Sequence, residues 1–553
     1  MSEQSTNGQQ KEMVTLTIDG HEVTVAKGTN IIEAAKTVGT DIPFYCYHPH
    51  LSIPGNCRMC QVEVEGAPKL MIGCHTQVQE GMKVKTHLTS KQVEDAQAAT
   101  LEMLLINHPL DCTVCDQAGH CKLQDYHYEY NARPSRFLEN KVKKVKAEPL
   151  GPTVMLDGER CIACTRCVRF CDEITGTGEI GLLNRGDRYC IAVNEDRELN
   201  NPLSGTVVDL CPVGALTHKK WRFNTRIWYT KATPSICPGC STGCNVKVHQ
   251  RDGEIVQVKA RLNPLVNKEW LCDEGRYGFA RFLPESRVTQ TFAKGAPVGL
   301  AEGAKLIQRD EKTLILVSPH LLVEDYVVLK QFVQQFLPNA KVAVAYRERT
   351  LSDVEKILIS PDYAPNYRGA EFAGLVPEVS EQSYEEALRE LSNGTYPQVL
   401  CLGDTSLDSE ERDVATASQL FSKARNVVSF LSDSSSTLAA ISHVVFPARS
   451  ILEKSGLMIS RAKRLQYATQ SVDAPEGTLP EWLLLNGIAK AFGKALVEVR
   501  QDRDLTVSYL GAEPRLKGLT IALIKGEGID LQAYQPTAGC AAGGASESSH
   551  AQP

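Results

Sequence analysis

Cys161-Ile162-Ala163-Cys164-Thr165-Arg166-Cys167, with Cys211-Pro212 far downstream, is the stretch that sets the reading of this chain. One tight loop reaches three corners of an iron–sulfur cubane, and a distant segment closes the fourth. The same design recurs in Cys237-Pro238-Gly239-Cys240-Ser241-Thr242-Gly243-Cys244 followed by Cys272. Upstream lie Cys46, Cys57, Cys60 and Cys74, and then Cys112, Cys115 and Cys121. Fifteen of the 19 cysteines, with one histidine, thus fall into four ligand sets, which implies four clusters and electron transfer between them.

Two other uses of cysteine compete. A disulfide framework belongs to small secreted domains, and CxxC spacing favours metal. Structural zinc usually takes two CxxC pairs, whereas a triplet with a remote Cys-Pro fits a cubane better. The fourth set is less distinctive than the third, so zinc stays an alternative there.

At 553 residues the chain has room for three or more domains, and its formal charge of -6 shows no basic excess for nucleic acid. No run approaches the roughly 18 apolar residues of a membrane helix, so membrane association is expected only through partners. Residues 1–12 lack an apolar stretch for secretion and are too acidic for a mitochondrial transit peptide, so a bacterial cytoplasmic protein is expected.

From Met13 to Val25 apolar and polar residues alternate around Asp19-Gly20, a hairpin signal, and Asn30 then caps a short helix. This predicts a ferredoxin-like β-grasp holding [2Fe–2S] on Cys46, Cys57, Cys60 and Cys74. Ten residues precede the Cys57/Cys60 pair, where the plant-type spacing has four, so the loop is a variant. Gly55 and Gly73 sit beside ligands, where backbone N–H groups can approach sulfur. A helix is expected over Lys91 to Asn107, with Leu101, Leu104 and Leu105 on one face. Three cysteines cannot close a cubane alone, and spacing leaves His108 and His120 both open as the fourth ligand of the second set.

HPLDCTVCDQAGHCKLQD (108–125), IPGNCRMCQVEV (53–64) and the third set resemble the large, G-type iron–sulfur subunits of bacterial NADH:quinone oxidoreductases, the respiratory complex I family. The resemblance implies that His108 is the ligand. It also implies partners: an NADH-binding flavoprotein carrying FMN, and ferredoxin-like and quinone-reducing subunits of the peripheral arm. It places the complex at the cytoplasmic face of the inner membrane and gives this chain no substrate site or catalytic residue of its own. The fourth set resembles the cluster segment that opens molybdopterin oxidoreductases. One [2Fe–2S] and three [4Fe–4S] clusters are therefore expected.

Cys171, Cys190, Cys401 and Cys540 read as buried or spare thiols. Gly176-Thr177-Gly178-Glu179-Ile180-Gly181 spells a dinucleotide fingerprint, but that motif needs a strand before it and a helix after it. It is read as a decoy.

Beyond Pro284, apolar strands at Thr313, Lys341, Gln398 and Asn426 alternate with helical stretches, the pattern of a parallel α/β sheet. His443 to Ala448, Glu453 to Gly456 and Arg464 to Gln466 look like the molybdopterin-oxidoreductase core. Leu457, Ser460, Ala462 and Lys463 depart from it, so a truncated scaffold without molybdopterin is expected. The whole is a multidomain α/β and α+β chain: 13–90 [2Fe–2S], 91–150 and 151–229 [4Fe–4S], 230–285 the fourth cluster domain, 286–495 the degenerate domain, 496–536 an extension and 537–553 a disordered tail. The rivals are an NAD-linked formate dehydrogenase α subunit, a hydrogenase diaphorase subunit and a non-redox zinc scaffold.

Overall fold

A computed structural model describes residues 12–131, 134–186, 188–407 and 413–536, so Cys540 and the 537–553 tail lie outside the described residues. The chain divides into two compact units between Thr230 and Lys231.

In the first unit, β1 (Met13–Ile18) and β2 (His21–Ala26) pair antiparallel around Asp19 and Gly20. Both turn residues are left-handed, at φ 49° and 85°, which matches the twist of the flanking strands. β3 (Gln61–Val64), β4 (Met71–Ile72) and β5 (Lys83–Lys85) complete a sheet ordered β2-β1-β5-β3-β4, with β1 and β5 parallel. Helix Ile31–Lys36, capped by Asn30 accepting from the Glu33 N–H, buries Ile31, Ile32, Ala34 and Ala35 in the same core as Leu16, Val62 and Val84. This is the expected grasp.

Helix Lys91–Leu105, capped by Ser90, packs against β3 and against helix Lys122–Tyr130. Of its expected apolar stripe Leu101 is buried, while Leu104 and Leu105 are only half-buried. Further on, β6 (Glu148–Pro149), β7 (Val154–Leu156) and β10 (Leu216–His218) form one small sheet. β8 (Ile180–Leu183) and β9 (Cys190–Val193) form a hairpin. Gly176 and Gly178 lead from a π-helical turn (Phe170–Ile174) into β8, so helix precedes strand, the reverse of the dinucleotide fingerprint.

The second unit opens with the antiparallel sheet β11 (Lys231–Ile236), β12 (Asn245–Arg251) and β13 (Glu254–Ala260). A seven-stranded sheet follows, built from β14 (Phe292–Ala293), β15 (Ala296–Pro297), β16 (Thr313–Val317), β17 (Lys341–Val344), β18 (Gln398–Leu402), β19 (Asn426–Leu431) and β20 (Val444–Pro447). Its order is β15-β14-β20-β19-β18-β16-β17, with β17 to β20 and β16 mutually parallel. All five residues of β16 and of β18 are buried, as strands covered on both faces must be, and Cys401 is one of them. β21 (Gly456–Ile459), β22 (Arg464–Ala468) and β23 (Ile529–Asp530) make a third sheet, so the segment beyond 495 returns to pair with Arg464 and Leu465.

Glu324, on helix Val323–Phe336, is buried and accepts the Leu457 N–H at 2.9 Å and the Thr506 hydroxyl. A Cβ on Gly456 would stand 2.7 Å from its Oε2, so only glycine leaves room for the carboxylate. Burial pushes Glu324 up to about 7 from 4.5, so its stability contribution is present below pH 4.5 and lost as pH rises through 7. Glu324→Gln, neutral at every pH, should therefore be more stable than the parent at pH 8 by on the order of 2–3 kcal/mol. Urea unfolding should show that gain shrinking towards pH 5.

Candidate metal centres

In the first set Cys46, Cys60 and Cys74 are buried and Cys57 is partly exposed. The Cys46 and Cys57 thiols hydrogen-bond to each other, as do those of Cys60 and Cys74. That bond to Cys46 leads the causes that bring the Cys57 thiol down to about 6, and the Cys46 N–H also reaches the Cys57 sulfur at 3.5 Å. Gly55 and Arg58 turn the loop in left-handed conformations, at φ 60° and 57°. Gly73 has a different use from the one expected. Its N–H donates to the Cys60 carbonyl at 2.8 Å, and an added Cβ would meet that oxygen at 3.3 Å. Its small size serves the approach of two backbone segments, and its N–H is spent on oxygen.

In the second set Cys115 and Cys121 are buried and Cys112 is exposed. Burial, with Lys141 and Arg160 nearby, lowers His108 to about 4, so its ring stays neutral and able to ligate at pH 7. The buried Nδ1 of His108 has no hydrogen-bond partner, as is also true of Nδ1 in His87, His120 and His127. His120 also buries Nδ1 but makes further contacts. Desolvation raises Cys121 to about 11, and Cys115 and Cys112 add to that from close by.

The third set lines one apolar pocket: Cys161, Cys164, Cys167 and Cys211, with Leu156 and Ile191. Ala163 and Thr165 are left-handed at φ 51° and 59°, so the loop coils tightly enough to turn three thiols the same way. Burial raises Cys161, Cys164 and Cys211 to about 11 each. The fourth set repeats this in the second unit. Cys237, Cys240, Cys244 and Cys272 line one pocket, and a Cβ on Gly275 would stand 3.2 Å from both Cys237 and Cys272 sulfurs. The Gly275 N–H donates to the Cys272 sulfur at 3.2 Å.

These sets fit iron–sulfur clusters better than single ions. One zinc ion draws its sulfurs to about 3.8 Å from each other, given Zn–S bonds of about 2.3 Å. Among the described residues no three His, Cys, Asp or Glu side chains are placed to hold one ion. Each of the last two sets turns four thiols to one apolar pocket. Of the remaining thiols, Cys171 and Cys401 are buried and Cys190 is partly exposed.

Three of the sets are joined by short bridges. The Arg169 guanidinium donates to the carbonyls of Cys46 (2.6 Å), Cys164 (3.2 Å) and Ser52, and Arg166 donates to that of Tyr47, tying the first set to the third. The Cys211 loop ties the third to the second. Cys121 Sγ lies 4.0 Å from the Pro212 carbonyl, and a Cβ on Gly214 would fall 2.1 Å from Cys115 Sγ. The sequence reading missed both bridges; the available signal for the first was two arginines three apart, one inside and one just after a ligand loop. Arg169→Met should destabilise the first unit by about 3 kcal/mol, since it strands buried carbonyls. Hydrogen exchange should quicken at 46–52 and 161–169, and Arg169→Lys should restore only part of the protection because an ammonium cannot span three acceptors.

Family profiles match four segments. They are a 2Fe-2S iron-sulfur cluster binding domain at 11–88, an NADH-ubiquinone oxidoreductase-G iron-sulfur binding region at 97–136, an NADH-quinone oxidoreductase subunit 3 ferredoxin-like domain at 151–217 and a molybdopterin oxidoreductase Fe4S4 domain at 230–282. The chain is 38% identical over 355 residues to the G subunit of NADH-quinone oxidoreductase from Streptomyces coelicolor, covering 62% of this chain and 42% of that one. It is 37% identical over 334 residues to the G subunit from Rickettsia bellii, covering 58% and 48%. It is 44% identical over 265 residues to the mitochondrial 78 kDa subunit of NADH-ubiquinone oxidoreductase from Candida albicans, covering 48% and 36%. The matches span less than half the length of these relatives. An NAD+-reducing [NiFe]-hydrogenase chain matches at 29% identity, covering 39% of this chain and 91% of that one, with a TM-score of 0.35.

Proposed function

We propose that this chain, a homologue through its iron–sulfur region of the G subunits of NADH-quinone oxidoreductases, is an electron-transfer subunit of such a complex. The assignment is [2Fe–2S] on Cys46, Cys57, Cys60 and Cys74, and [4Fe–4S] on three sets: His108, Cys112, Cys115 and Cys121; Cys161, Cys164, Cys167 and Cys211; and Cys237, Cys240, Cys244 and Cys272. The observation that carries it is the convergence of four thiols on each of two apolar pockets, together with a buried His108 whose ring stays neutral beside a third set.

Bound clusters supply one-electron carriers. The residues around them fix spacing, exclude water and set the local charge. Arg169 joins the first set to the third and the Cys211 loop joins the third to the second, which supports electron transfer among these three sets. Electrons enter from NADH through FMN on a flavoprotein partner and leave through neighbouring subunits towards quinone. Membrane attachment at the cytoplasmic face runs through those partners; no described helix is long and apolar enough to span a membrane. The fourth set lies in the second unit, where it staples the Cys237 loop to Cys272 at the entrance of a degenerate pterin domain that no longer holds its cofactor.

The purified chain should contain about 14 iron atoms and as many sulfides, as one [2Fe–2S] and three [4Fe–4S] centres require. Stoichiometric zinc or molybdenum near one per chain would refute the reading. His108→Cys should keep a cubane but lower its midpoint potential, because an anionic thiolate stabilises the oxidised centre more than a neutral imidazole does. A redox titration with an unchanged potential, and loss of that centre in His120→Ala instead, would move the ligand to His120.

A further inference from the structure

Cysteines ligate metal as thiolates and a histidine as the neutral imidazole, so His108 is the one ligand of its set without a charge. Attraction to a cationic centre does least at this corner, and the placing of the chain has to do more. The chain on both sides of His108 is fastened by one irregular segment, Lys141 to Lys146. The Lys141 ammonium donates to the carbonyls of Leu105 (2.9 Å) and Ile106 (2.8 Å), at the end of helix Lys91–Leu105, where no further helical N–H follows. The Val142 N–H donates to Asn107 Oδ1 at 3.0 Å. On the other side, Pro109 disfavours helical backbone at His108, and Lys146 reaches the Asp111 carboxylate at 2.6 Å. Asp111 stands where it could cap the turn Cys112–Val114 and does not. Its Oδ2 goes to Lys146 and, at 3.0 Å, to Arg160, the residue before Cys161. The segment is also tied to the approach to the third set: the Val145 carbonyl accepts the Gly158 N–H at 2.9 Å, and Lys146 Nζ lies 2.8 Å from Glu159.

We propose that Lys141 and Lys146 are positioning residues for His108: they hold the 105–111 loop at its two ends and so keep the imidazole on the centre of Cys112, Cys115 and Cys121. Lys141 acts through the backbone of Leu105 and Ile106, and Lys146 acts through Asp111. A helix cap needs only the first of these contacts. Anchoring the far side of the same ligand as well, and to the loop that carries Cys161, is what a fixed metal corner needs. This inference rests on the cluster assignment proposed above.

The test is Lys141→Met in the full, cluster-loaded chain, with iron and sulfide quantified first. Two readouts follow: the imidazole nitrogen coupling of the His108 centre in pulsed EPR, and the rate at which a chelator removes iron from each centre. The expected result is a weakened nitrogen coupling and iron loss from that centre faster by about tenfold or more, with the other three centres unchanged. Lys141→Arg, whose guanidinium can serve both carbonyls, should restore both readouts. Lys143→Gln removes a charge from the same segment, but Lys143 is 81% exposed and stands 3.8 Å from Glu159, so it should behave as the parent. Unchanged coupling and release in Lys141→Met overturn the proposal. So does iron loss quickened alike at every centre, or an effect of Lys143→Gln as large as that of Lys141→Met. If Lys141→Met loads poorly, Lys146→Gln should show the same selective change at the His108 centre, and parent-like values there overturn the proposal equally. A parent centre with no imidazole coupling would instead sink the ligand assignment itself, and this inference with it.

Discussion

The physical constraint on which this chain depends is the desolvation of thiols. Four cysteines turned into an apolar pocket hold on to their protons, and Cys161, Cys164 and Cys211 are each pushed up to about 11. Removing those protons without a compensating cation would bury several negative charges at once, which no network of hydrogen bonds in these pockets offsets. A cationic core resolves the conflict, so metal binding and completion of the fold become one process. The left-handed residues at Ala163, Thr165 and Arg58 are the backbone's share of that requirement, because a loop cannot turn three side chains inward while staying extended.

A second constraint is where the loops' own carbonyls go. A ligand loop coiled around a cavity points its N–H groups inward and its C=O groups outward, and buried carbonyls need donors. Arg166 and Arg169 supply them to Cys46, Tyr47, Ser52 and Cys164 at once. The same guanidinium groups fix the distance between two ligand sets. Backbone satisfaction and cofactor spacing are thus met by one pair of side chains, and a bidentate, planar donor suits that task better than an ammonium.

Much of this was legible in the sequence for local reasons. Asp19-Gly20 announced its turn because few other pairs accept two left-handed residues, and the double-sided burial of β16 and β18 announced a parallel sheet because such strands lose their polar alternation. The ligand spacings were equally plain. What escaped was long-range. Nothing near Gly73 says that its N–H meets the Cys60 carbonyl, and nothing near Gly214 says that a sulfur 99 positions earlier occupies the space of its missing side chain. The return of Ile529 to the edge of β22 was hidden for the same reason, since two residues of strand carry no periodicity.

The Cys211 loop belongs to two neighbourhoods at once. Its first residue lines the third cavity, its Pro212 carbonyl stands over Cys121, and its Gly214 touches Cys115. A part shared in this way removes freedom from both owners. Lengthening the loop to suit one set would unseat the other, and a bulkier residue at 214 would be felt a full centre away from where it was made. Drift in either set is therefore admissible only as a concerted change across both, carried by the four residues from Cys211 to Gly214.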